Sequence, residues 1–306
     1  VSGVLTGFAV IAAVIGTGYV LGRFSLLGDG GREVLTKLAF HVASPALMFE
    51  TLSQADLTVL ASAPLAITAL SAMAMAGGYA LVGAARRWPA APTTVGALCS
   101  GYVNAGNLGI PVAAYVLGDA SLVAPVLLFQ LLVMTPVGLT VLDVTTSGGG
   151  DSLPRRLTSP LRNPIVIGSL AGVTVAATGW RVPEPVMEPF HLIGAMSVPA
   201  VLLAFGISLY GSALPGRDGD RGPLVLSVLL KSLGQPLVAW ALGAFVFGLA
   251  GRALFTVVVT AALPSAQNLF AYASRYGVAT RLARESILIS TVLAVPVLFT
   301  IAALLG

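Results

Sequence analysis

The stretch ALCSGYVNAGNLGIPVAAYVLG, residues 97–118, is apolar enough to lie in a bilayer, yet Gly101, Gly106, Gly109 and Pro111 crowd its centre. A proline removes a backbone donor and disfavours the helical conformation of the residue before it, and each glycine weakens a helix further. The segment is therefore expected to unwind near Asn104 to Pro111. The carbonyls and amides released there need a ligand, water or a neighbouring side chain.

A counterpart lies far downstream in TAALPSAQNLFAYASRYG, residues 260–277, where Pro264 interrupts the helix and Ser265, Gln267 and Asn268 place polar groups at mid-span. One such break is also an ordinary packing kink, and one asparagine can simply bond a neighbouring helix. Two breaks at corresponding places, both carrying amides, point instead to a substrate site, because half-helix N-termini aim positive dipoles at an anion.

The rest of the chain fits this environment. Of its 306 residues 57% are apolar and 9% charged, so a soluble domain would lack polar side chains for its surface. Mean hydropathy is +0.94. Cys99, the single cysteine, precludes a disulfide framework within one chain, and no metal or redox cofactor is expected. The formal charge of +4 comes from basic residues scattered between apolar segments, which argues for a membrane and against nucleic acid.

Cutting the chain at its polar clusters yields an all-α polytopic protein of ten transmembrane segments, near 3–22, 33–52, 58–85, 93–117, 121–142, 163–180, 187–211, 223–249, 252–275 and 284–305. No basic residue precedes Val4–Leu21, so this reads as a membrane helix rather than a cleaved signal. Loops after odd-numbered segments hold Arg23, Arg32, Lys37, Arg86, Arg87, Arg155, Arg156, Arg162, Arg217, Arg221, Arg275, Arg281 and Arg284; those after even-numbered ones hold Arg181 and Arg252. The positive-inside rule then sets both termini outside and the 143–163 connection in the cytoplasm, in the cell membrane. That connection, DVTTSGGGDSLPRRLTSPLRN, reads as a flexible linker. It divides the chain into 1–147 and 163–306 around a linker at 148–162. Five segments per half make the halves inverted repeats. Pro45, Asn107 and Pro136 in the first half match Pro199, Asn268 and Pro296 in the second in order and near spacing.

At these residues the sequence resembles the auxin efflux carrier family, which includes bacterial transporters and the PIN-type plant auxin exporters. The matching pieces are SPALMF around Pro45, NAGNLGIP at 104–111, RNPIVIGSLAG at 162–172, VPAVLLAFGISL at 198–209, KSLGQPL at 231–237 and LPSAQNLFAYASRYG at 263–277. The resemblance implies a scaffold of segments 1, 2, 6 and 7 and a mobile transport domain of segments 3–5 and 8–10, with broken segments 4 and 9 crossing at the midplane. It implies elevator-type secondary transport of a small organic anion, a carboxylate or auxin-like acid, with efflux as the expected direction. Carried over by position, Asn107 and Asn268 are the amides nearest the ligand, with Asn104 and Gln267 as further candidates. Pro111 and Pro264 open the crossing, and Pro45 and Pro199 line the scaffold face.

The bile-acid sodium symporters share this architecture and supply the alternative of sodium coupling. Their sodium sites need a carboxylate at the crossing, and none lies close to Asn107 or Asn268, although Gln130, Thr135 and Ser290 offer neutral oxygens. Proton coupling needs an ionisable group in the membrane. His41, a turn before Pro45, is one candidate, or it bonds a nearby carbonyl. Lys231 is the other; its stem can snorkel to the headgroups or turn inward. His191 is expected at an interface, and Glu50, Asp143 and Glu285 at solvated span ends. A membrane-embedded enzyme would need a nucleophile and base in reach, and Ser44 with His41 is the nearest approach, lacking an oxyanion hole. The expected partners are a small organic anion and the lipid bilayer, with a homodimer left open.

Overall fold

The computed structural model describes residues 2–28, 30–54, 62–109, 112–146, 164–210 and 221–306. Pro111 and the linker at 148–162 lie outside them. Helix α1 spans Ser2–Arg23, α2 spans 31–53, α3 Ala63–Ala85, α4 Ala90–Gly101 and α5 Ala124–Thr146. The later chain gives α6 (Pro164–Thr178), α7 (Glu184–Leu209), α8 (Arg221–Val246), α9 (Gly251–Ala261), α10 (Asn268–Tyr276) and α11 (Thr280–Leu305). No β-strand occurs among the described residues; one isolated antiparallel bridge pairs Val103 with Ser265. Among the described residues five helices, α3, α5, α7, α8 and α11, are long and apolar enough to cross a membrane.

Several ends depart from expectation for local reasons. Ser62 caps α3 by accepting from the Leu65 amide (3.3 Å), so the helix is seen from Ala63 rather than 58. Helix α7 begins three residues early, behind Pro183, and bends at Met196. The segment expected at 252–275 is two helices, α9 and α10, and α11 begins at Thr280 rather than 284. Between α10 and α11 the chain reverses through Gly277 (φ +65°) and Ala279 (φ +49°).

Prolines inside membrane helices explain another regularity. The amides of Ser44, Thr135 and Gln235 each donate to the carbonyl five residues back, at Ala39, Gln130 and Leu230, and each is followed by proline: Pro45, Pro136 and Pro236. One widened turn before each ring relieves its clash with the preceding carbonyl and lets the helix continue. These widened turns also set the directions of Ser44, Thr135 and Gln235, all buried.

Two sets of helices pack among themselves. In one, α1 lies along the second half of α7, α6 along the second half of α2, and α2 against α7. In the other, α3 packs on α4, α8 on α3, α4 and α9, α5 on α4, and α11 on α9 and α10. The edge-to-face pair Phe205–Phe270 (centroids 5.4 Å apart), buried in the core, joins α7 to α10.

The α1–α7 and α6–α2 crossings are alike in being closed by glycine. A Cβ at Gly206 would overlap the Ile15 carbonyl oxygen, and one at Gly18 the Leu203 carbonyl oxygen. On the other crossing a Cβ at Gly168 would strike the Pro45 carbonyl, and one at Gly172 would sit 2.7 Å from the Phe49 carbonyl oxygen. Such backbone contact maximises dispersion where lipid offers no hydrophobic drive between helices. Gly206→Ala should therefore destabilise the purified protein by about 1–3 kcal/mol through overpacking. Gly77→Ala, where nothing lies within 4 Å, is the control. A thermal melt should show a lowered Tm for the first and an unchanged or raised Tm for the second.

Candidate functional site

The two interrupted segments meet. Helix α4 ends at Gly101 and Tyr102 turns into an extended conformation (φ −94°, ψ 109°), while α9 ends at Ala261 and the chain runs through Pro264 before α10. The Asn104 amide donates to the Pro264 carbonyl (2.7 Å), and the Ala266 amide donates to the Tyr102 carbonyl (3.2 Å). Val103 and Ser265 lie opposite each other between these bonds. Pro264 fits here because an extended stretch needs its carbonyl and not the missing N–H.

Neighbouring helices satisfy what remains. Gln130 of α5 accepts from the Val103 amide (2.6 Å) and donates to the Val103 carbonyl (3.0 Å). Ser290 of α11 accepts from the Ser265 amide (3.1 Å), and the Ser265 hydroxyl donates to the Cys99 carbonyl (2.7 Å) near the end of α4. The Asn104 carbonyl accepts from the Leu108 and Gly109 amides (3.3 and 2.9 Å), turning the chain into a widened turn, Ala105–Gly109. Unpaired backbone groups would be costly in a dry interior.

A cavity opens beside this crossing, with about 970 Å³ of empty space including its open mouth. Its edge on the crossing carries Asn104, Gln267, Asn268, Tyr102 and Tyr272; the facing wall comes from α2 and α7, including Ser44, Met48, Ser197 and Val201. None of the described residues lining it is acidic or basic. Asn268 donates to the hydroxyls of Tyr272 (3.1 Å) and Tyr102 (3.4 Å), and Tyr102 in turn bonds Thr135 (2.9 Å). Among the described residues the buried Asn268 Oδ1 has no hydrogen-bond partner. Across the cavity the Ser44 and Ser197 hydroxyls bond each other (2.8 Å), tying α2 to α7.

Among the residues singled out from sequence, Asn104, Gln267 and Asn268 are brought together on this cavity, and Pro264 lies buried in the crossing. The Asn107 backbone is in the widened turn, and its side chain lies outside the described residues, as does Pro111. Neither Pro45 nor Pro199 lines the cavity: Pro45 meets Gly168 of α6, Pro199 is exposed, and their neighbours Ser44 and Val198 take the wall. His41 is exposed, its Nδ1 3.0 Å from the Lys37 carbonyl, and Ser44 bonds Ser197 rather than His41. Lys231 does not snorkel; it is 1% exposed and turned inward. Glu285 is buried beside Arg281 (2.7 Å) rather than solvated, and Glu50 pairs with His191 (2.8 Å). Tyr102, Tyr272 and Ser197 escaped the sequence reading, since tyrosine and serine in apolar runs carry no signal until helices are placed.

The family described as membrane transport protein matches residues 4–149 and 151–302. The chain is 25% identical over 270 residues to a Rhizobium meliloti protein named "Putative malonate transporter", covering 85% of this chain and 83% of the relative. It is 25% identical over 294 residues to an "Uncharacterized transporter" of Methanothermobacter thermautotrophicus, covering 94% and 93%. It is 31% identical over 154 residues to the "Probable auxin efflux carrier component 5b" of Oryza sativa, covering 47% and 40%.

Gln130 gives the site geometry its own test. Gln130→Met keeps the side-chain length but leaves the amide and carbonyl of Val103 buried without this partner, at about 1–3 kcal/mol for each group. A melt of the purified variant should show a Tm lowered by several degrees.

Proposed function

Since the chain belongs to the membrane transport protein family, that of the auxin efflux carriers, we propose that it is a secondary active transporter of a small organic anion. It is a multi-pass membrane protein. In the proposed arrangement ten spans form two inverted halves, 1–147 and 163–306, with both termini outside and the crossing near the bilayer midplane. The α1, α2, α6 and α7 set is the scaffold, and the α3–α5 and α8–α11 set moves against it as an elevator. The cavity lies between the two sets, with one wall from each, which is where a substrate carried by such a movement must sit.

The observation that carries this reading is an amide-edged cavity, lined by no acidic or basic side chain among the described residues, against paired helix breaks. A carboxylate there meets neutral donors and the N-terminus of α10, which begins at Asn268, rather than a fixed cation. Binding by dipoles is firm enough to select an anion and weak enough to release it, as a transport cycle requires. The partnerless Asn268 Oδ1 costs free energy until a donor reaches it, which a hydroxyl or protonated carboxyl of a guest supplies. The relatives' names, malonate and auxin, both denote organic acids, and efflux is the proposed direction. The alternative is sodium coupling: Gln130, Thr135 and Ser290 already bond Val103, Tyr102 and Ser265, so a sodium ion held there would share oxygens that the crossing uses.

The test is transport in liposomes containing the purified protein, with labelled malonate and an aryl acetate as probes. Asn104→Ala should lower flux about 10- to 100-fold, the weight of a hydrogen bond to a charged group, and Asn268→Ala about 10-fold through its Oδ1, the latter with a lowered Tm as well because its bonds to Tyr102 and Tyr272 are lost. Wild-type flux in both variants would remove the crossing cavity as the substrate site.

A further inference from the structure

Lys231 is buried on α8 with no carboxylate to answer it: among the described residues no ion pair involves it. Removing a charge from water is expensive unless something compensates it. What surrounds this ammonium is a set of neutral oxygens with a particular origin. It donates to the Ala261 carbonyl (3.0 Å) and to the Gln235 Oε1, and Gln235, 1% exposed, donates from its Nε2 to the Gly101 carbonyl (3.2 Å). Gly101 is the last residue of α4 and Ala261 the last of α9. The two carbonyls therefore lie at the C-terminal ends of the two interrupted helices.

A helix C-terminus carries about half a negative elementary charge, so two of them present about one, which matches one ammonium. Neither Lys231 nor Gln235 lines the cavity, so this charge balance stands apart from the proposed substrate site. The widened turn at Leu230–Gly234 before Pro236 places Lys231 and Gln235 four residues apart on one face, within reach of both helix ends. Close packing also holds the end of α4 against α3, where a Cβ at Gly101 would lie 2.5 Å from the Ala72 carbonyl oxygen.

We propose that Lys231 is the fixed counter-charge of the crossing: directly at Ala261 and through Gln235 at Gly101, it clamps the C-terminal ends of α4 and α9 and sets the register in which Tyr102–Asn104 meets Pro264–Ala266. It is a positioning residue; it acts on transport by holding the crossing that bears the amides. The clamp itself is a structural claim, and only its effect on flux rests on the transport reading above.

The test is amide hydrogen exchange, read by mass spectrometry on the full-length protein in nanodiscs, alongside liposome flux. Lys231→Met should speed exchange by about 10-fold in both 102–105 and 262–267, the two stretches whose mutual register the lysine is proposed to hold, and Lys231→Arg should restore protection. Gln235→Met should loosen 102–105 while leaving 262–267 nearer wild type, and it decides the question if Lys231→Met does not fold. Flux should fall about 10-fold in Lys231→Met and stay within about threefold of wild type in Lys231→Arg. Unchanged exchange in both regions, or loosening confined to one of them in Lys231→Met, would overturn the clamp. Loosened exchange with undiminished flux would keep the clamp and separate it from transport.

Discussion

Hydrocarbon offers no partner to a bare peptide group, and that constraint shapes this molecule more than any single contact. A helix that stops inside a membrane protein exposes amides and carbonyls that water cannot reach. Here two helices stop, and each supplies part of what the other lacks: Asn104 gives its amide to Pro264, and Ala266 gives its amide to Tyr102. Gln130 and Ser290, from the helices that follow each break, satisfy Val103 and Ser265. The two breaks are thus satisfied in the same way, and the α1–α7 and α6–α2 contacts are both closed by glycine.

From that pairing the character of the cavity follows. Because backbone groups and neutral side chains build the crossing, the wall offered to a guest is polar without being charged. The only buried ammonium nearby among the described residues is turned to the ends of α4 and α9 and away from the cavity lining. Positive and negative helix ends are thus handled by different groups. Under the proposed function such a wall would leave the charge of an anionic guest to be met by dipoles, and the way the crossing is held would then bear on affinity.

The breaks were legible in the sequence because helix-breaking residues act locally and cluster there with polar neighbours, Gly101, Gly106 and Gly109 at one and Pro264 beside Ser265 at the other, whereas lone prolines such as Pro136 and Pro236 leave their helices continuous. Asn104, Gln267 and Asn268 stood out as amides in apolar segments, and the structure brings them to one cavity. Tyr102 and Tyr272 were not, since their hydroxyls matter only once α10 brings Asn268 beside them. Pro45 and Pro199 marked the right turns of the right helices, but the widened turn at Ala39–Ala43 and the bend at Met196 give the cavity to Ser44, Ser197 and Val198 instead. For Lys231 the stem length suited either direction. The helix ends that decide between them cannot be located from Lys231 and its neighbours in sequence.

The account stands on Val103 and Ser265 facing each other across the crossing. They form the pair not joined by backbone bonds, for which Cα atoms lie about 4.5 Å apart, within disulfide range. The direct measurement is oxidation of a Val103→Cys, Ser265→Cys variant in a Cys99→Ser background, with the linked peptides identified by non-reducing mass spectrometry. Efficient formation of the 103–265 disulfide in folded protein is the predicted result. Folded protein in which the two thiols stay free under oxidant would contradict the meeting of the two breaks.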